Sequence, residues 1–157
     1  MPLAHISLPV SSLEESTAFY QKLLAPLGYG IYLSLENTVG MGPQYGNPDF
    51  WLHLCPKDGK EGASKTHVAF AASSQKQVHA FYEAGLKAGA KDNGKPGERS
   101  YTKGYYAAYL LDLEGNNVEC LYYQPWWLTA MQYGPSVVVP LAAAGVAWWG
   151  GRAGWGM

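Results

Sequence analysis

The sequence predicts an α+β fold of two tandem βαβββ modules forming one cupped mixed β-sheet with the helices outside. Three observations carry this. The chain repeats itself at a shift of 62 positions. Each copy opens with a short apolar run that meets a serine-capped helix. After each helix, the apolar pattern changes from the 3.6-residue period to that of strands.

The repeat runs without a gap from His5 to Leu24. His5 falls on His67, Ser11-Ser12 on Ser73-Ser74, Ala18-Phe19-Tyr20 on Ala80-Phe81-Tyr82, and Leu24 on Leu86, seven identities in twenty positions. The opening strands are read at Ala4 to Val10 and His67 to Ala72. Ser12 with Glu15, and Ser74 with Gln77, then form capping boxes, in which the serine oxygen accepts from a free amide of the first helical turn. Leu13, Phe19 and Leu23 define the apolar face of the first helix, which Pro26-Leu27-Gly28 ends. Val78, Phe81, Tyr82 and Leu86 define the second, with Gly85 and Gly89 near its end. Phe19 and Phe81 read as core residues. Strands follow at Gly30 to Leu35, weakly near Val39, and at Phe50 to Leu54. In the second copy there is a short piece near Ala90, then Tyr105 to Leu111 and Val118 to Tyr123, joined by the turn Asp112-Leu113-Glu114-Gly115-Asn116. The modules cover about residues 3–56 and 65–124, within one domain of residues 1–125. The glycine-rich stretch Gly40 to Gly46 lacks a phosphate-loop signature and reads as a connector or cavity lip.

Composition narrows the function. Eleven Lys+Arg against twelve Asp+Glu give a formal charge of −1, which leaves no electrostatic footprint for nucleic acid. Hydrophobic residues at 48% and charged ones at 15% supply a core and exclude a disordered chain. Cys55 and Cys120 suit a reduced, cytoplasmic protein better than a disulfide scaffold, and no secretory signal is visible after Met1.

His5, His67 and Glu119 carry the chemistry. The two histidines begin equivalent strands, and Glu119 sits in the apolar run Val118-Glu119-Cys120-Leu121. A carboxylate buried there requires a positive partner. Neither opening strand contains Lys or Arg, so a cation shared with the two imidazoles is the natural one. Two imidazoles and a carboxylate form a facial triad suited to one divalent ion: zinc, iron, manganese or nickel. Taken singly, each of these residues has a plainer reading, as a hydrogen-bonding histidine or a water-facing glutamate. The repeat relation between the histidines favours the shared ion.

The duplicated unit, His5, His67-Val68-Ala69-Phe70, Gly104-Tyr105-Tyr106-Ala107-Ala108-Tyr109 and the ending Asp112-x-x-Gly115-Asn116-x-x-Glu119 together resemble the vicinal oxygen chelate superfamily. That superfamily contains glyoxalase I, extradiol dioxygenases, fosfomycin-resistance transferases and bleomycin-binding proteins. The resemblance covers about residues 3 to 124. It implies the glyoxalase/bleomycin-resistance/dioxygenase fold, a homodimer, and a divalent metal on His5, His67 and Glu119. It also implies an enzyme of the lyase, isomerase or dioxygenase type acting on a small substrate with adjacent oxygens. The alternative is a metal-free binding protein of the bleomycin-resistance type, which the 14% aromatic content suits. The sequence departs from the pattern in two places. Trp51 occupies the slot where glyoxalase I members carry a fourth ligand, and Leu113-Glu114 stand where the family turn commonly reads Pro-Asp.

Around that centre, Tyr105 and Tyr106 are candidates for proton transfer, and Arg99, Tyr101, Lys103 and Trp51 for substrate contact. Alternation sends Tyr105 and Tyr106 to opposite faces. Gly94, Pro96 and Gly97 read as a solvated loop over Asp92 to Gly104. Residues 126–157 form an apolar, aromatic extension, with no charge from Cys120 to Gly151. Val137 to Trp149 would reach about 20 Å as a helix, short of the roughly 30 Å of hydrocarbon, so packing on the sheet or on a dimer partner is expected instead of a membrane span, with partial disorder over Gly150 to Met157 and a lipid-surface anchor as the minor alternative.

Overall fold

The computed structural model describes residues 4–44, 46–55 and 65–133. The first module runs β1 (Ile6–Val10), α1 (Leu13–Leu24), a 3₁₀ turn (Ala25–Leu27), β2 (Tyr29–Leu35), β3 (Thr38–Pro43) and β4 (Phe50–Leu54). The second runs β5 (His67–Ala71), α2 (Gln75–Ala88), β6 (Lys91–Glu98), β7 (Tyr105–Leu111) and β8 (Asn117–Tyr123), followed by α3 (Trp126–Tyr133). Each module is a four-stranded mixed sheet, ordered β1-β4-β3-β2 and β5-β8-β7-β6. Among the described strands only β1 with β4, and β5 with β8, run parallel. A parallel pair needs a long crossover, and α1 and α2 begin those crossovers.

The two copies cap their helices alike. Ser12 Oγ accepts from Glu15 N, and Ser74 Oγ from Gln77 N, each at 3.3 Å. They differ one residue earlier. Ser73 is held within its own module, by Gln77 Oε1, whereas the amide and hydroxyl of its counterpart Ser11 both donate to Glu114 of the second module. The modules meet again at Tyr20, whose hydroxyl donates to Asp112 Oδ2 at 2.6 Å in the buried interior. Phe50 meets Phe70 edge to face at 5.3 Å. A single core therefore holds Leu8, Val10, Phe19 and Leu23 together with Val78, Phe81, Leu110 and Val118.

Alternation sorts the strands. On β5, Val68 and Phe70 enter the core while His67, Ala69 and Ala71 face out. Two readings from the sequence change here. The weak strand near Val39 is the full strand β3, which absorbs Gly40 and Gly42, and the short piece near Ala90 extends into the eight-residue β6. Gly94, Pro96 and Gly97 thus lie in a strand and not a loop. It is an edge strand with register shifts at Gly94 and between Gly94 and Gly97, a setting that tolerates Pro and Gly. The opposite edge, β2, is apolar, with Ile31, Tyr32, Leu33 and Leu35 all exposed.

In the extension, α3 presents Trp126, Trp127 and Met131 to solvent. Trp148, Trp149, Trp155 and the segments from Val137 to Trp149 and from Gly150 to Met157 lie outside the described residues. No described helix is long and apolar enough to cross a membrane.

Candidate functional site

The outward face of the second sheet carries the site. Ala69 on β5 and Tyr109 on β7 both register with Glu119 on β8, so His67, Ala69, Glu119, Tyr105 and Tyr109 share one face. Glu119 is only 3% exposed. Its Oε2 lies 3.0 Å from His67 Nε2, and its Oε1 accepts from the Tyr105 hydroxyl at 2.6 Å. Burial, then the bond to Glu119, holds the Tyr105 phenol well above its ordinary pKa, so it remains a donor at neutral pH. Burial and the same carboxylate push Tyr109 up to about 12.

Behind His67 the network sets its orientation. Asn93 Nδ2 donates to Asn117 Oδ1 at 3.0 Å, which turns Asn117 Nδ2 toward His67 Nδ1 at 2.7 Å. In the neutral imidazole this leaves the proton on Nε2, directed at Glu119. Holding a metal through Nε2 would need the other tautomer, with the proton on Nδ1 and the Asn117 amide turned so that its oxygen accepts it. The 3.0 Å between His67 Nε2 and Glu119 Oε2 is an ordinary hydrogen-bond length; two ligands on bonds of about 2.1 Å would stand about as far apart in an octahedral site and about 3.4 Å apart in a tetrahedral one.

His5 stands apart from that pair. It is exposed, with its ring edge-on to Trp51 at 6.1 Å. Among the described residues no group of three or more His, Cys, Asp or Glu is close enough to hold a metal ion. A cleft of about 250 Å³ nevertheless has His5 with Ala4 and Ile6 on one wall, and Val68, Ala69 and Phe70 on the other. The start of β1 and the β5 edge thus line one cleft, and among the described residues no ladder joins the two sheets.

Trp51 sits where the repeat places a carboxylate in the other half. Ser7 registers with Trp51 as Ala69 registers with Glu119, and Ser7 lies 62 positions before Ala69. Its indole donates to Pro48 O at 3.2 Å. Asp49 instead accepts from the Tyr29 hydroxyl at 3.0 Å, and His53 Nδ1 lies 2.8 Å from Ser7 Oγ. Glycine at position 40 makes room for Trp51, because a Cβ there would stand 2.8 Å from Trp51 Cη2 and 2.9 Å from Cζ3. Gly40→Ala is expected to destabilise the chain by about 1–3 kcal/mol through overpacking. In a Trp51→Leu background the same change should cost nothing, which urea unfolding of the four proteins would check.

Of the remaining candidates, Tyr101 is 76% exposed, with its ring 5.6 Å from Tyr105. The Arg99 guanidinium lies 5.0 Å over the Tyr109 ring. Lys103 is exposed on the loop between β6 and β7. Tyr106 points to the opposite face, where its hydroxyl lies 2.7 Å from His79 Nε2. The structure thus brings Tyr105, and not Tyr106, to Glu119. Tyr109 joins the site without having been singled out from sequence, although its even spacing from Tyr105 was the available signal.

The family model of the Glyoxalase/Bleomycin resistance protein/Dioxygenase superfamily matches residues 3–120. A solved glyoxalase/bleomycin resistance protein from Albidiferax ferrireducens T118 is 31% identical; the match covers 78% of this chain and 98% of that one, with a TM-score of 0.64. A glyoxalase/bleomycin resistance protein/dioxygenase family enzyme from Burkholderia phytofirmans PsJN is 18% identical over 79% of this chain and 100% of its own, at a TM-score of 0.62. A glyoxalase-related enzyme from Fulvimarina pelagi, 19% identical over 76% and 86%, shares the fold at 0.57. No curated protein matches the chain. With the duplicated modules, the matched span and the 31% relative in agreement, the chain belongs to the glyoxalase/bleomycin resistance protein/dioxygenase superfamily.

Proposed function

We propose that this protein is a divalent-metal-dependent enzyme acting on a small substrate with two adjacent oxygens, of the lyase, isomerase or dioxygenase type. One observation carries the reading. Glu119 is a buried carboxylate on an otherwise open sheet face, set 3.0 Å from an imidazole nitrogen, so that the two residues stand close enough to share one ion. His67 and Glu119 would hold the ion, with His5 as the third ligand, from the same chain or from a partner subunit; His5 lines a cleft that also reaches Ala69, which registers with Glu119. When bound, zinc, iron, manganese or nickel supplies Lewis acidity to the substrate oxygens. The chain's own residues do the rest. Tyr105 fixes the Glu119 carboxylate, Asn117 fixes the His67 ring, and Trp51 beside His5 fills the place a fourth protein ligand would take. Three protein ligands leave room for a bidentate substrate. A cytoplasmic homodimer belongs to the same proposal.

The rival is a metal-free binding protein. The exposed tyrosines Tyr101 and Tyr123, each edge-on to Tyr105, favour it as a stacking surface for a flat ligand. Elemental analysis of protein purified without chelator separates the two readings. The enzyme reading expects about one metal ion per chain in the wild type. A metal-free wild type that still binds aromatic ligands would overturn it in favour of the rival. Mixed dimers of His5→Ala and Glu119→Ala chains, regaining one site in two, would show that His5 comes from the partner subunit.

A further inference from the structure

Arg99 follows the end of β6, and among the described residues it is held by backbone carbonyls and a ring, not by a carboxylate. Its Nη2 donates to two backbone carbonyls, Lys95 O at 2.6 Å and Ala107 O at 2.9 Å. Its Nε is buried with no hydrogen-bond partner. The guanidinium carbon lies over the Tyr109 ring, 5.0 Å from its centroid, within cation–π distance. The backbone is shaped for this arrangement. Gly94, at φ +153°, leaves the space in which a Cβ would stand 2.9 Å from Tyr109 Cδ2 and 3.5 Å from Arg99 Nη2. Two carbonyls and a ring fix the position of the cation but do not neutralise its charge.

The surroundings supply further donors. A recess of about 410 Å³ beside Arg99 is lined by Ser100, Thr102 and Lys103, with Glu98 as its one acidic wall. On the other side, Tyr109 separates the guanidinium from the reacting centre, its ring centroid 6.5 Å from that of His67. A planar cation preset in this way suits an oxyanion, which it can engage with little loss of side-chain freedom.

We propose that Arg99 anchors an anionic group of the substrate, a carboxylate or a phosphonate, several bonds removed from the oxygens that reach His67 and Glu119. This deepens the proposed function and rests on its placing the reacting centre at His67 and Glu119. The substrate class becomes an acid carrying its vicinal oxygens at a distance from the anionic end, rather than a neutral diol or ketone. Arg99 is then a specificity-determining residue, and Tyr109 is the spacer that sets the length of the ligand.

The full chain would be titrated calorimetrically with glutarate, 3-phosphonopropionate and uncharged glutaramide, first without metal and then with Mn²⁺. Both acids are expected to bind at least tenfold more tightly than glutaramide, and the tighter of the two identifies the anionic group. Arg99→Gln should lower binding of both acids at least tenfold and leave glutaramide unchanged, while Arg99→Lys keeps part of the preference. Equal binding of acids and amide by the wild type would overturn the proposal without any variant having to fold. So would an Arg99→Gln protein, folded by its melting profile, that binds the acids as the wild type does. Mn²⁺ affinity, followed separately by electron paramagnetic resonance, should be the same in wild type and Arg99→Gln. A wild type that binds the acids but no Mn²⁺ would end the metal reading and leave the anion anchor standing.

Discussion

Glu119→Ala is expected to weaken divalent-metal binding by at least about a hundredfold, with stability changed by only about 1 kcal/mol. The affinity figure follows from comparison with outer groups. Partners that merely orient a ligand cost about 10–100-fold when removed, and Glu119 is the proposed ligand itself. Tyr105→Phe, which removes only the hydrogen bond at Oε1, should fall within that lower range. Stability responds differently because the carboxylate is buried and its imidazole partner is not. The Glu119 side chain is 4% exposed and that of His67 51%. Removing the charge relieves its desolvation cost, and the partly exposed imidazole can then bond to water. Manganese titration alongside thermal melting reads the two effects separately. Unchanged metal affinity in Glu119→Ala would remove Glu119 from the site.

Asp112→Ala is expected to cost about 3–5 kcal/mol, because four hydrogen bonds to one carboxylate are lost, each contributing about 1.5–3 kcal/mol where water cannot replace it. Asp112 is 6% exposed and accepts from the Tyr20 hydroxyl, the amides of Glu114 and Asn116, and Asn116 Nδ2. Alanine strands all of these donors, including the one that reaches across from the first module. Tyr20→Phe removes a single bond and should cost about 1 kcal/mol. Small domains have only about 5–15 kcal/mol in total, so the aspartate substitution would shift the urea midpoint far more than the tyrosine one. A loss below about 1.5 kcal/mol for Asp112→Ala would show that the network is not holding the modules together.

Alkaline pH should act both on this interior and on the tyrosines of the site face. Tyr20, Tyr105, Tyr109 and Cys120 all have folded pKa values raised above their ordinary ones, Cys120 to about 12, with burial as the leading cause in each. Their neutral forms are favoured in the folded chain, so the unfolded chain ionises first. The stability they contribute is whole below about pH 9 and is lost as pH rises through the folded values.

Much of this architecture was legible in the residues. The 62-residue repeat located both helices, because Ser12 and Ser74 announce their caps by a local rule that tertiary packing does not override. The pairing of His67 with Glu119 followed from alternation once their strands were placed. β6 was hidden because Gly94, Pro96 and Gly97 are loop residues by propensity, and only an edge position with register shifts makes them a strand. The link from Ser11 to Glu114 was also beyond reach. It joins positions 103 apart that no period relates. His5 shows the limit most clearly: its repeat relation to His67 fixes the strand position, but the distance between the two depends on how the sheets are set about the cleft.

The sheets end unlike each other. β6 finishes its sheet with Lys91, Asp92, a proline and two glycines, while β2 finishes the other with a row of bare aliphatic and aromatic side chains. Of these two edges, β2 is therefore the adhesive one. At high concentration, or on partial unfolding, chains would stack through β2 long before β6 took part. A lysine at position 33 would be the simplest guard against such growth.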